Sequence, residues 1–278
     1  VTTPSALQRA IQNAQKSIVV MIYREVGFIP EQPGLDDILD MADLVCHPPE
    51  IGRIISDKRR ANAFFSERNV PMPKLFETST ATEAVFSNDN NDSGAAVYTV
   101  STGADLSPDR YNTSLIDTRA EYEGEQYYIS VRLMCVGATI THTVMRARPV
   151  SEGSPCVHSK NTPVDSHLLN DFFRRFVIQN MDRLQNIADG VVAAIGPGFY
   201  SHDILLDTNS GEIFMAETGF KFNNLAYRNL MDEVIDDLEF LAGFKEVEDI
   251  ARRSVGPFLQ MIDTAQKRNR RLDADPRR

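Results

Sequence analysis

Two carboxylates in the last third of the chain carry the first readable chemistry. Asp203 and Glu217 lie on strand-like segments, 201–207 and 212–217, separated by a turn containing Asn209, Ser210 and Gly211. A four-residue turn would set Asp203 against Ala216 and send the two carboxylates to opposite faces. A three-residue turn, with Gly211 in the left-handed position of a bulge, pairs Asp203 directly with Glu217 and has the better turn chemistry. Cross-strand partners stand about 4.5 to 5.5 Å apart at Cβ. Two carboxylates at that separation repel unless one is protonated or a cation bridges them. Mg²⁺ is the expected cation, because it takes hard oxygen ligands and fills its other positions with water and phosphate. The alternative is a pair of acids at the solvent end of a hairpin.

Basic residues with a matching pattern precede them. Segments 127–136 and 138–148 flank Gly137 as two long strands of a hairpin. Alternation puts Ile129, Val131, Leu133 and Cys135 on one face and Arg132 on the other, while His142, Val144, Arg146 and Arg148 share a face of the second strand. Arginines spaced this way either project from a sheet into a cleft or lie on a solvated outer face, and the pattern leaves both open.

The elements that must position these groups follow from periodicity. Leu7, Ala10, Ile11 and Ala14 mark a helix ahead of a β-branched strand, 18–23, and a weaker helix, 35–41, leads to an apolar pair at Leu44 and Val45. Ser56 and Asp57 cap a helix through Asn69, stopped by Val70-Pro71-Met72-Pro73. From Ser87 to Asp109 the chain reads as a long loop around one short strand, 95–100. Thr162-Pro163-Val164-Asp165 resembles a capped start for a long helix whose stripe, from Leu169 through Phe172, Phe176 and Leu184 to Val191, suits the covering of a sheet; Gly196-Pro197-Gly198 ends it. Cys46 and His47 are followed by two prolines with no acidic partner close by, which favours a loop lining over a catalytic pair. His158 reads as a mobile-loop residue before an acid-base group.

At 278 residues the chain can bury a core of one large or two intimately packed domains. A formal charge of −10 and a pI near 5.0 argue against a general nucleic-acid or membrane-surface binder. The basic run Lys267, Arg268, Arg270, Arg271 reads as a solvated tail. Three scattered cysteines match neither a CxxC metal pair nor a disulfide framework, which fits a reducing cytoplasm. The sequence shows no signal-peptide pattern and no apolar stretch approaching the roughly 18 to 20 residues of a membrane span.

Three stretches in order are similar to the ATP-grasp superfamily of carboxylate-amine ligases, the glutathione-synthetase-like enzymes included. They are Ser56-Asp57-Lys58 leading into Asn69-Val70-Pro71-Met72-Pro73; Ile116-Asp117-Thr118-Arg119 followed by the strands of Arg132 and Arg146; and His202 to Asp207 through Ala216-Glu217-Thr218-Gly219. The resemblance covers roughly Ser56 to Asn224. It implies an α/β (α+β) ATP-grasp fold in which two α+β subdomains sandwich the nucleotide. A small N-terminal lobe (1–55) would precede the ATP-grasp domain (56–242), and a C-terminal helix with a basic tail (243–278) would follow.

It further implies Lys58 near the nucleotide phosphates, Leu115, Ile116 and Asp117 at the adenine and ribose edge, and Arg132 and Arg146 toward the transferred phosphoryl group. Asp203 and Glu217 would hold Mg²⁺. The family's third ligand, an Asn, is Gly219 here, so Asn223 becomes the nearest candidate, with Lys221 free to face the phosphates. The family's second lysine is absent from Ala95–Val100. The activity implied is ATP-dependent joining of a small-molecule carboxylate to an amine through an acyl-phosphate. A small-metabolite kinase and a nucleotide-binding module without turnover are the alternatives. Neither nucleic acid nor membrane is an expected partner, and oligomeric state, a homodimer included, is left open.

Overall fold

The structure is a computed structural model and describes residues 4–14, 18–20, 34–76, 78–90, 97–158, 161–220 and 247–273. The N-terminal segment forms α1 (Pro4–Asn13), β1 (Ile18–Val20), α2 (Leu35–Leu39) and β2 (Leu44–Cys46), with β1 parallel to β2. Ile11, Ile38 and Leu39 bury a small core between the two helices. Residues 21–23 of the expected first strand lie outside the described residues. A helix not anticipated from the sequence, α3 (Pro49–Ile55), starts on Pro49, whose fixed φ suits a first helical position, and buries Ile54 and Ile55.

Asp57 caps α4 (Lys58–Ser66) by accepting a hydrogen bond from the Arg60 amide at 2.8 Å. The helix stops three residues short of the expected Asn69, which itself takes a left-handed φ of 60°. β3 (Val85–Asp89), β4 (Tyr98–Val100) and β5 (Arg110–Ser114) then make a three-stranded antiparallel sheet in the order β4-β3-β5. Ser87 to Asp89 are therefore strand where a loop was expected, and β5 was unforeseen. The reason is physical: Ser87 donates to Asn112 Oδ1 at 2.8 Å and Asn112 Nδ2 donates to Ser107 O at 2.9 Å. These buried polar side chains satisfy one another, so the strands show no apolar alternation.

The second sheet has five strands: β6 (Arg119–Tyr122), β7 (Glu125–Val136), β8 (Thr139–Pro149), β9 (Phe199–Leu206) and β10 (Ile213–Gly219). β7 is the hub. It pairs with β8 along one edge and with β6 and then β9 along the other, while β10 extends β9. Gly137, at φ 58°, makes the tight β7–β8 connection and donates its amide to Gly198 O at 2.8 Å.

The apolar face carrying Ile129, Val131, Leu133, Met145, Ile204 and Met215 packs against helical residues Phe172, Val177, Leu184, Ala188 and Val191 and against Phe65 of α4. The covering stripe was legible, but it is not one helix. α5 (Ser166–Phe172) is followed by a π-turn, Phe173–Val177, a 3₁₀ turn, Ile178–Asn180, and then α6 (Met181–Ile195). Its cap is Asp165, which accepts from the Leu168 amide at 3.0 Å, so the helix starts later than Thr162-Pro163 suggested. Thr162 instead bonds the Ala147 amide at 3.3 Å. Gly196 ends α6 as expected.

α7 (Val247–Asp273) lays Met261 and Phe258 against Leu44, Cys46, Val136 and Phe199. The basic run from Lys267 to Arg271 belongs to its last turns and is not a tail. His47 lies in a box formed by Tyr200 and Phe220, with ring centroids 4.9 and 3.7 Å away, and its Nε2 accepts the Phe199 amide at 2.8 Å. That is the loop-lining role, and it ties the N-terminal segment to β9. Among the described residues no helix is long and apolar enough to cross a membrane.

Leu133 is fully buried at the centre of this core. Leu133→Ala is expected to destabilise the protein by roughly 2 to 5 kcal/mol, read as a lower urea midpoint.

Candidate functional site

The pairing of β7 decides what faces the site. Ser130 is opposite Arg146 on β8, and Arg132 is opposite Asp203 on β9. Directly paired residues share a face, so Arg132, Arg146 and Asp203 all project from the side opposite the apolar core. Arg132 grips Asp203 with two parallel bonds, Nε to Oδ1 at 2.7 Å and Nη2 to Oδ2 at 2.8 Å. Arg146 adds Nη2 to Oδ1 at 2.9 Å. Side-chain exposures of 18% for Arg132, 5% for Arg146 and 20% for Asp203 rule out a solvated outer face.

Burial alone would raise the pKa of Asp203, but the fields of Arg146 and Arg132 and their hydrogen bonds reverse this and hold its carboxyl well below the usual range. Asp203 in turn raises the Arg132 pKa, with Glu217 adding to the effect. Burial lowers that of Arg146 against the opposing pull of Asp203.

Glu217 is opposite Asp203, although not by the expected turn. Asp207 pairs with Glu212, its amide donating to Glu212 O at 2.8 Å, which leaves a four-residue turn, 208–211, with Gly211 at φ 73°. Asp207 Oδ1 holds the turn by accepting from the Asn209 and Ser210 amides at 2.9 and 3.0 Å. That register alone would set Asp203 against Ala216. A bulge between Met215 and Glu217 inserts Ala216 as the extra residue and brings Glu217 into line. Beyond Glu217 stands Tyr111 of β5, whose hydroxyl accepts from Asn62 Nδ2 of α4 at 3.0 Å. Burial raises the tyrosine's pKa and the charge of Glu217 raises it further.

The expected repulsion between the two carboxylates is thus answered by two guanidinium groups. Asp203 accepts three N–H donors, close to the roughly four lone-pair sites of a carboxylate. Among the described residues no group of three His, Cys, Asp or Glu is placed to hold a metal ion. Asn223 and Lys221, expected as third ligand and phosphate contact, lie outside the described residues. Gly219 leaves room for a side chain, since a Cβ there would meet only Ser201 Oγ at 3.7 Å. Asp203 and Glu217 therefore fit Mg²⁺ on condition that another anion takes up the arginines.

Lys58 Nζ donates to Asp89 O at 3.3 Å, and its charge reaches Cys156 together with those of Arg146 and Arg148. Cys156 Sγ lies 3.2 Å from His158 Nε2, and Arg148 Nη1 donates to Cys156 O at 3.0 Å. Segment 153–158 thus folds over the arginine face. Nothing local in the sequence linked Cys156 to the site. Burial raises its thiol pKa despite the three cations.

Leu115 and Ile116 join β5 to β6 and so bridge the two sheets, with the Leu115 amide donating to Ala84 O at 3.0 Å. Asp117, expected at the ribose edge, is already engaged by Arg119 through bonds of 2.7 and 2.5 Å and by Asn209 Nδ2 at 2.9 Å. Chiefly through Arg119, its carboxyl is pulled down to about 2. On the sheet where the lysine is missing, Arg110 lies 4.5 Å over the Tyr98 ring and bonds Ser87 Oγ at 2.9 Å and Asp89.

With that geometry established, likeness to solved structures can be weighed. The N5-carboxyaminoimidazole synthetase of Staphylococcus aureus, complexed with ADP, matches with a TM-score of 0.51 at 8% identity, over 82% of this chain and 60% of that one. The chain has the ATP-grasp fold. The Campylobacter jejuni biotin carboxylase matches at TM-score 0.47 and 12% identity, over 95% of this chain and 57% of that one. An ATP-grasp ligase complexed with a phosphomimetic variant of its minimal precursor, Mg and ADP matches at 0.46 and 10%, over 79% and 67%. The chain spans only 44 to 60% of the first three solved structures it matches. No family profile and no curated protein matches the sequence.

Behind Asp203, on the core face, His202 is fully buried, with Nδ1 2.7 Å from Thr218 Oγ1, and burial pushes its pKa down to about 4. Burial also lowers His47 to about 3 and His142 to about 4. In the unfolded chain these histidines take up protons near pH 6.5, so their contribution is present above that pH and is lost as pH falls toward their folded values. Asp203 loses its contribution lower, starting near pH 4, where unfolded carboxylates protonate. Urea unfolding between pH 8 and 3 is expected to show stability declining from about pH 6.5. His202→Gln is expected to make the decline between about pH 6.5 and 4 shallower, with His47 and His142 supplying the rest, while keeping the fall below it.

Proposed function

We propose that the chain is an ATP-dependent ligase that activates a carboxylate as an acyl-phosphate and joins it to an amine. The observation that carries this reading is the convergence of Arg132 and Arg146 on Asp203, with Glu217 beside it and Lys58 close enough for its field to reach the same corner. Phosphoryl transfer is catalysed mainly by positioning and by neutralising charge on the moving group. Arg132 presents a planar fork that matches two phosphate oxygens, and Arg146 supports a third from the neighbouring strand. Lys58 would steady the nucleotide phosphates. Leu115 and Ile116 would flank the adenine, with Asp117 holding the connection they belong to.

Mg²⁺, when bound, would neutralise phosphate charge and help orient the leaving oxygens. Asp203, Glu217 and Asn223 would hold it, and Lys221 would face the same phosphates. The small-molecule carboxylate and amine would enter beside segment 153–158, and a reducing cytoplasm is the compartment that suits the three free thiols.

The reading without turnover draws on one observation, Tyr98 and Val100 on the strand where the family places a lysine. ADP release separates the readings. A ligase is expected to release ADP only with both a carboxylate and an amine present and to yield an amide. ADP formed with a single acceptor would mean a kinase, and ATP binding with no ADP under any acceptor would mean a module without turnover. In thermal unfolding, ATP with Mg²⁺ is expected to stabilise the wild type, by about 2.7 kcal/mol at one hundred times Kd. The Asp203→Ala/Glu217→Ala double variant is expected to lose the part of that response that depends on Mg²⁺, and an equal Mg²⁺-dependent increment in both proteins would remove the metal assignment.

A further inference from the structure

We propose that Asp203 is a specificity-determining residue: as an internal anion it occupies Arg132 and Arg146, so the site admits a polyphosphate that brings a divalent cation and rejects the metal-free form. The inference rests on the polyphosphate reading of the site given above. Three features carry it. First, the two guanidinium groups already have anionic partners, since Asp203 and Glu217 stand against Arg132 and Arg146 across paired strands. Second, both Asp203 oxygens are held, one by two donors. Third, donors remain unspent: Arg146 Nε and the hydroxyl of its cross-strand partner Ser130 are buried without a partner. A buried N–H left unbonded is costly, and an arriving anion oxygen can relieve it.

A metal-free polyphosphate that entered this site would displace Asp203 and leave two carboxylates beside the new negative charge. A cation alone would draw Asp203 away and leave two largely buried guanidinium groups uncompensated. Either event breaks a buried pair and strands a charge, which is the expensive outcome. When anion and cation arrive together the partners exchange. The polyphosphate takes the arginines, the cation takes Asp203 and Glu217, and no charge is stranded. Each ligand therefore raises the affinity for the other by the same factor, as linkage requires.

The test measures gain of binding, which a misfolded protein does not give. The probes are inorganic pyrophosphate in the presence of EDTA, titrated by calorimetry, and Mn²⁺ without any phosphate, followed by electron paramagnetic resonance. The wild type is expected to bind each alone weakly. Asp203→Asn removes the internal anion and is expected to bind metal-free pyrophosphate at least about tenfold more tightly than the wild type. Arg132→Gln removes two of the three donors on Asp203, leaving it held by Arg146 alone, and is expected to bind Mn²⁺ alone at least about tenfold more tightly. Pyrophosphate binding that is unchanged or weaker in folded Asp203→Asn overturns the proposal, as does unchanged Mn²⁺ binding in Arg132→Gln. If the first variant does not fold, the second decides alone. Stabilisation of the wild type by ATP with Mg²⁺ is measured in the same series. Its absence with both gains present removes the nucleotide reading and leaves the exchange standing, whereas its presence without the gains removes the exchange alone.

Discussion

Three strands meet so that one carboxylate lies between two guanidinium groups, and much of the molecule can be understood as what is needed to keep that arrangement in place. Arg132, Arg146 and Asp203 come from β7, β8 and β9, and none of the three is free to move without shifting a strand. Ions held away from water lose hydration that their mutual attraction only partly returns, so such a cluster adds little stability on its own. The apolar layer on the reverse of the same strands, Val131, Leu133, Met145 and Ile204 against α5 and α6, supplies the burial that holds the strands in register. The polar site and the apolar core are two sides of one sheet, one residue apart along each strand.

Much of this was legible where the signal was local. The alternation in β7 and β8 placed Arg132 and Arg146 away from the core, Gly137 marked their turn, and Gly196 marked the end of α6. What escaped was set by partners distant in sequence. Asp203 is 71 residues from Arg132, and nothing in either neighbourhood announces that they bond. The arginines that meet the repulsion of the two carboxylates are therefore not visible from the hairpin alone. β5 was missed because Tyr111, Asn112 and Thr113 are buried among polar partners, so its pattern does not read as a strand. The helical stripe was read as continuous because apolar spacing persists through Phe176 and Val177 while the backbone opens into a π-turn.

The connection between the sheets shows a similar division of labour. The ATP-grasp resemblance implied that Leu115 to Asp117 lie at the adenine and ribose edge, but not that the Asp117 carboxylate would be spent on Arg119 and Asn209. Asn209 belongs to the β9–β10 turn, and Thr208 bonds the Asp117 carbonyl through both its amide, at 2.8 Å, and its hydroxyl, at 3.1 Å. The segment that bridges the sheets is thus fastened to the hairpin that carries Asp203 and Glu217. A shift of one sheet against the other would be felt at the carboxylates through hydrogen bonds, without passing through the core.

The bulge at Ala216 gives that hairpin a particular freedom. Asp203 is positioned by its pairing with β7, and Glu217 is matched to it by the extra residue, so neither depends on the conformation of the turn at 208–211. The turn is left to hold the connection between the sheets, through Asn209 and Thr208. Two jobs that one tight three-residue turn would have forced on the same few residues are separated by a single inserted alanine. Substitutions that alter the hold on that connection can accumulate at the tip of the hairpin while the spacing of the charged groups at its base stays fixed.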